Sequence, residues 1–579
     1  MTRPRLTLLL SVPLGMIWMA GAAMAASDAV PPAVDETNPA VAAGPEDSPN
    51  APEKLPPAAR KNPYESPVQE RVDTTRPTFD GRTITVNAGG NLQAAINSSN
   101  PGDVIELEPG AVFTGTFVLP VKDNPDSKWV LIRTAGTQPP EGQRIDPAVH
   151  SASMAVIQAN DRKDTPAIRT ASGANHYRFE NLTIRAHQDP EEFRYRVYNL
   201  IELSPGKEVT AATQTLEHAP HHIVFDRVYV YGNKKIGTRR GFAFNGRHLA
   251  VINSYVTEIK ERGADSQAIC GWMGPGPFKI ENNFLAGAGE NIMFGGGNAR
   301  IENLVPSDIE IVRNHIYKPL SWREGDPAYE GTKWVVKNLL ELKSGQRVLI
   351  EGNTFENHWG GQGQGGFSIL FTPRSSRGRN PWVVVQDVLF QHNTMKNVAQ
   401  GISILGDDNN NPNDTPTNNI VIHNNLFEDL GAFDSRAYWL IWLRESFHTT
   451  ISNNSVHFTS PEQKHGISLS NNRPKVGQFT QATHVRFVDN VIEYQHYGFK
   501  GNALKVGTET LVSNFPHLDM SGNFFLQKPG DTRNLADLYP TDSSFTNNTF
   551  VEAGESFDPG DAGVDMELLL QKQQNHRGE

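Results

Sequence analysis

The chain has 579 residues, including 50 Gly and 39 Pro, with 37% hydrophobic residues and a formal net charge of −11. That composition suits short strands joined by turns better than long helices. The charge gives no footprint for nucleic acid and weighs mildly against a polyanionic ligand unless a local basic patch overrides it. A single cysteine, Cys270, excludes an intramolecular disulfide and, in its apolar stretch, reads as a buried core thiol.

At the N-terminus Arg3 and Arg5 precede an apolar run, Leu6 to Ala20, and Ala23-Met24-Ala25 offers small residues at a cleavage position. Residues 1–25 therefore read as a secretory signal peptide, and the expected location is secreted or periplasmic. Residues 26–75, rich in Pro, Ala, Asp and Glu, read as a disordered linker, because they hold too little apolar surface to offset the entropy of ordering.

From Thr83 the pattern changes. Thr83–Asn87 alternates as a strand, Leu92–Ile96 reads as a short helix, and Pro101-Gly102-Asp103 turns into the strand Val104–Leu107. The stretch NLQAAINSSNPGDVIELEPG resembles the opening of right-handed parallel β-helix proteins of the pectate-lyase-like superfamily, in which a small helix caps the first coil. The resemblance implies an all-β, single-stranded right-handed parallel β-helix (solenoid) over residues 76–553 with a short N-terminal capping helix. Residues 554–579, containing Met566-Glu-Leu-Leu-Leu-Gln, read as a tail with a short helix.

The body repeats an Asn-x-apolar corner at Asn181, Asn253, Asn283, Asn314, Asn353, Asn393, Asn425, Asn454, Asn490, Asn523 and Asn548. A coil of three short strands takes a little over 20 residues, stacked strands lie ~4.8 Å apart, and excess length leaves as loops. An Asn at each corner can bond its neighbours above and below and tolerate a left-handed turn, so these residues read as a ladder, not ligands. Stacking also aligns outward side chains from successive coils, so a functional site is expected to be a patch built across rungs.

Aligning the coils places Leu200–Leu203, Phe242–Asn245, Ala268–Gly271, Ile292–Gly295, Leu339–Lys343, Ser368–Phe371, Ser403–Gly406, Leu440–Arg444, Ile467–Ser470 and Gly498–Gly501 in one sheet. Most are apolar or small. Charges stand out at Glu202, Glu341, Lys343, Arg444 and Lys500, with Arg374, Asp407 and Asp408 just past strand ends.

Leu342-Lys343-Ser344, followed by GQRVLIEGNTFEN, resembles the strand-end Lys-Ser step of chondroitinase B and related alginate lyases. There the Lys removes the proton beside a uronate carboxylate and an Arg stands on the following coil. The resemblance implies Lys343 as base, Arg374 as its partner about one coil later and calcium as a possible cofactor, although the group's calcium-binding carboxylates correspond here to Val336 and Asn338. Glu341, on the same face as Lys343, reads either as orienting it or as pairing with it. The pair would raise the lysine pKa and oppose a base role. Arg444, Trp442, Lys500 and Asp407 are the expected substrate contacts. Of Trp439 and Trp442, odd spacing assigns one to the core and one to the surface.

Two other readings stay open. Gly406-Asp407-Asp408 and His465-Gly-Ile-Ser468 resemble two of the motifs of polygalacturonases, which implies hydrolysis, and a non-catalytic glycan-binding or adhesive protein fits the same fold. Gly361-x-Gly363-x-x-Gly366 opens onto a strand and reads as a loop. The expected partner is a polysaccharide, acidic if the lyase reading holds. A monomer is expected, free of nucleic acid and, once the leader is removed, of the membrane.

Overall fold

Runs of three to seven residues in which apolar side chains alternate with polar ones form the strands, and Asn or Gly corners end them. The computed structural model describes residues 58–574 except 161–164, 189–195, 207–208, 211–212, 361–365, 409–412, 434–438, 460–465, 470–481, 494–496, 502–505, 528, 531, 533–537, 540–544 and 546. The signal-peptide reading, most of the linker and the Gly361–Gly363 stretch fall outside these residues.

Successive strands go to three sheets in rotation. Sheet I and sheet II each hold 14 strands and sheet III holds 12. One coil runs Ser307–Val312 (sheet I), His315–Tyr317 (sheet II) and Leu340–Leu342 (sheet III), and the next runs Gly345–Glu351, Thr354–His358 and Ile369–Phe371. Pairing between these coils is parallel and in register. The chain is a parallel β-helix, wound in the right-handed sense that parallel crossovers take.

Inward side chains stack in columns along the axis. In sheet III, Ile292, Leu340, Ile369, Ile402 and Ile441 lie on consecutive rungs, at 0–1% exposure. Each such side chain contributes roughly 1.5–3 kcal/mol of burial, so the core is a continuous rod and not a central knot. Near the start, the helix Leu92–Ser98, capped by the Asn91 side chain, adds Leu92, Ala95 and Ile96 to this core.

The asparagine ladder spans Asn283 to Asn548. Each amide Nδ2 donates to the next Asn Oδ1 at 2.8–3.1 Å, and also to a main-chain carbonyl. The corner differs from expectation in one respect, because the ladder residue is not the left-handed one. Positive φ belongs to the preceding residue: Asn282, Arg313, Gly352, His392, Asn424, Asn453, Asp489 and Gly522. Asn181 and Asn253 fall in that left-handed column, with Arg227 between them, and not in the ladder.

Residues 58–75, expected to be disordered linker, instead lie along sheet I as a strap that continues to about residue 80. Arg60 N donates to Asn419 Oδ1, Gln69 N to Asp308 Oδ1, and Arg76 Nε to Glu180, so the strap runs back over seven rungs toward the start of the helix. Val68 packs against Val312, Leu349, Leu389 and Val421, and Val72 is buried with Val224, Ala250 and Ile252. Few apolar residues suffice because sheet I supplies the rest of the surface. At the other end, the helix Met566–Gln574 folds back so that Lys572 meets Glu351 at 3.2 Å. Among the described residues no helix is long and apolar enough to cross a membrane.

Candidate functional site

Sheet III holds the strands on which Glu202, Glu341, Arg444 and Lys500 lie. Its outward row, in register, reads Arg169, Glu202, Ala243, Cys270, Met293, Glu341, Leu370, Ser403 and Trp442. A parallel row three residues earlier holds Arg240, Gln267 and Glu290. Cys270 is buried, and burial pushes its thiol up to about 11, which makes it inert although it faces away from the apolar core.

Lys343 ends the strand Leu340–Leu342, and the backbone N–H of Arg374 donates to its carbonyl at 2.8 Å. The two cations therefore occupy neighbouring rungs on one face, with 14% of the Lys343 side chain and 24% of the Arg374 side chain exposed. Each has an acidic partner. Lys343 Nζ lies 3.4 Å from Oε1 of the buried Glu341, and Arg374 Nε donates to Asp408 Oδ2 at 2.8 Å. Burial penalises the Lys343 ammonium and Lys337 repels it, but Glu341, with Glu290 and Asp265 behind it, prevails and holds Lys343 above the ordinary lysine value.

A buried network behind Lys343 escaped sequence reading. Lys337 Nζ bridges Glu290 Oε1 and Asp265 Oδ2, both at 2.9 Å, while Gln267 Nε2 donates to Glu290 Oε2 at 2.7 Å and Arg240 Nε to Gln267 at 2.9 Å. Burial raises the Glu290 pKa, but Lys337 and Lys343 pull it down to about 2. Val336 and Trp334, beside Lys337, anchor this segment in a satellite apolar cluster with Trp322 and Trp359. The signal was available: Glu290 stands two residues before the aligned Ile292, and Lys337 precedes Lys343 at an even spacing.

The remaining expected contacts share the face without meeting at one point. Arg444 lies three rungs from Lys343, ~14 Å, and Lys500 five rungs, ~24 Å. The Arg444 guanidinium covers the Trp442 ring at 3.9 Å, and the Lys500 ammonium lies 4.3 Å from the Tyr497 ring centre. Asp407 is drawn into its own surroundings. It is 2% exposed, and its Oδ1 accepts the Asn413 N–H, closing its own loop. Trp439 and Trp442 are both partly exposed, against the parity expectation, because pairing with the next strand shifts register between them and resets the alternation. Asp408 is held by Arg374, and His465 falls outside the described residues.

Calcium does not fit the described residues here. It takes six to eight oxygen ligands, whereas Val336 is packed in the apolar cluster, Asn338 donates to the Phe367 carbonyl at 2.6 Å, and the Lys337 ammonium already bridges Glu290 and Asp265. Cavities of about 400, 620 and 470 Å³ lie on the opposite side, between the strap or the C-terminal helix and sheet I. A set of partly exposed cations spread over several rungs, Lys343, Arg374, Arg444 and Lys500, is the better guide to a polymer site, since a long chain needs a track and not an enclosure.

No family model matches the sequence, and no curated protein matches it. Among solved structures the chain is similar to the PL6 family alginate lyase AlyGC (12% identity, TM-score 0.46, covering 84% of this chain and 57% of that one). It is also similar to the PL6 family polysaccharide lyase Pedsa3628 from Pseudopedobacter saltans (11%, 0.37, 83% and 96%) and to pectate lyase Pel9A (14%, 0.31, 84% and 88%). The chain thus spans little more than half the length of AlyGC. At these identities the likeness extends to the β-helix fold alone.

Proposed function

We propose that this β-helix protein is a polysaccharide lyase that cleaves a uronate-containing glycan by β-elimination along sheet III. The observation that carries the reading is the backbone bond from Arg374 to Lys343, which sets two partly exposed cations on adjacent rungs. In the reaction, Arg374 offsets the uronate carboxylate, which acidifies the proton on the carbon beside it. Neutral Lys343 takes that proton, the electron pair closes a C=C bond to the next ring carbon, and the bond from that carbon to the glycosidic oxygen breaks. The departing oxygen then takes the proton back from the lysine, so Lys343 is regenerated. Arg444 on Trp442, and Lys500 beyond, would hold sugars further along the same track. Export follows from the leader reading of residues 1–25, and sequencing the N-terminus of the mature protein tests it.

Because Glu341 keeps Lys343 charged, a site that grips an acidic glycan without cutting it is the competing reading. The two separate on a panel of uronate-containing and neutral polymers, with and without chelator, read by polymer length and by retention on immobilised glycan. A lyase shortens a uronate polymer, and Lys343→Ala retains the polymer but no longer cuts it. Retention without shortening under every condition overturns the catalytic assignment.

A further inference from the structure

Sheet I holds an unrelated cluster. At the second position of its strands one residue adopts left-handed backbone, and on three successive rungs that residue is a histidine: His176 (φ 56°), His222 (φ 53°) and His248 (φ 51°). Strand pairing skips this position, since His221 pairs with Asn175 and Ile223 with Tyr177, so the side chains leave the sheet as a column. The His176 and His222 rings stack at 4.6 Å and 5° from parallel, and His248 stacks on His222 at 4.2 Å. His221 stands across them, 5.6 Å from His176 at 84° and 5.0 Å from His222 at 82°.

This crosswise ring turns a stack into a set of converging donors. One ring nitrogen from each of His176, His221 and His222 lies within 4.8 Å of the other two, the one such group of three among the described residues. His221 Nδ1 and His222 Nδ1 are 2.8 Å apart, a separation that requires a proton or a cation between two lone pairs. Two imidazoles bound to one tetrahedral zinc at ~2.0–2.1 Å bring their nitrogens to about 3.3 Å, so the pair needs to open by roughly half an ångström. His176 Nδ1 faces Asn175 Oδ1 at 2.9 Å, while the Asn175 amide nitrogen donates to the Gly173 carbonyl. That bond protonates Nδ1 and leaves the lone pair on Nε2, the arrangement by which a neighbouring acceptor orients a metal-binding imidazole.

We infer that His176, His221 and His222 form a binding site for a zinc-type transition-metal dication, with the remaining coordination open to the cavity of about 620 Å³ they line. Trp129 walls it edge-on to His176, and the strap contributes Asp73 and Thr75. Lys122 also lines the cavity, but its ammonium is committed to the carbonyls of Ile96, Asn97 and Ser99. Asp73, and Glu70 at 3.2 Å from His248, place negative charge on the strap beside the site. A bound cation would therefore tie the strap to the sheet. The inference is independent of the lyase reading, whose residues lie on sheet III.

The test uses the full chain, purified without a histidine tag and stripped with chelator, titrated with Zn²⁺ by calorimetry and with Co²⁺ by visible absorption. One equivalent of Zn²⁺ and a cobalt spectrum of imidazole ligation are expected. His221→Gln, and His222→Asn, which keeps a residue suited to left-handed backbone, should each weaken binding by about tenfold or more. His484→Asn, in the second stack of rings (His448, His484, His517), should leave binding unchanged. Circular dichroism of the metal-free variants controls for folding. Absence of Zn²⁺ binding by the unaltered chain, or unaltered affinity in both His221→Gln and His222→Asn, overturns the assignment.

Discussion

Lys343 is a base that its own neighbour opposes. Its pKa is raised by Glu341 over the contrary effect of burial, so the neutral amine is scarce near pH 7 and the cleavage rate should climb about tenfold per pH unit on the acidic side of that pKa. Glu341→Gln removes the stabilising charge, and the rising limb of the pH–rate profile should move to lower pH; an unmoved limb would detach Glu341 from the base. Glu290 works in the opposite sense. Its folded value of about 2 lies below its ordinary 4.5, so it contributes stability above pH 4.5 that is lost as pH falls toward 2. Glu290→Gln should flatten that part of an acid-unfolding curve, and a curve of unchanged slope would contradict the pairing with Lys337. Lys343, Glu341 and Arg374 were legible because strand parity and coil spacing fix faces and rungs. The acidic partner of Arg374 was not: whether it reaches Asp408 is set by loop conformation, which no repeat encodes.

At the scale of the corner, two adjacent residues divide the work that sequence spacing assigned to one. The ladder amide supplies axial hydrogen bonds, and the residue before it supplies the left-handed turn. Asn353, fully buried, accepts from the Asn314 backbone N–H and amide and donates to Asn393 and the Ile311 carbonyl. Asn353→Ala should cost about 1–3 kcal/mol for each buried group left unpaired, measured by denaturant unfolding. One position earlier the preference is conformational, so Asn453→Val should destabilise by about 1–2 kcal/mol more than Asn453→Gly. Equal effects would mean that the left-handed turn is not what selects the residue. The recurring Asn was readable; the offset between its two tasks was not, because Asn satisfies both and often occupies both positions.

At the largest scale the described coils form a registered stack, and only that register brings Lys343 and Arg374 together from 31 positions apart. The strap was the largest misreading. Its composition is that of a chain unable to fold alone, and its order is borrowed from sheet I through Val68, Val72, Arg71 and Arg76. Val72→Asp, which buries an unpaired carboxylate, should cost about 2–4 kcal/mol, and limited proteolysis should then cut within residues 58–80 before the coils. The proposed chemistry is tested most directly by the product formed when the protein cuts an oligouronate, read by NMR and ultraviolet absorbance. The expected product carries a C=C bond in the sugar at its new non-reducing end and is absent with Lys343→Ala, whose circular dichroism should still show the folded β-helix at the assay temperature. A saturated product, or the same unsaturated product at the same rate from Lys343→Ala, would contradict it.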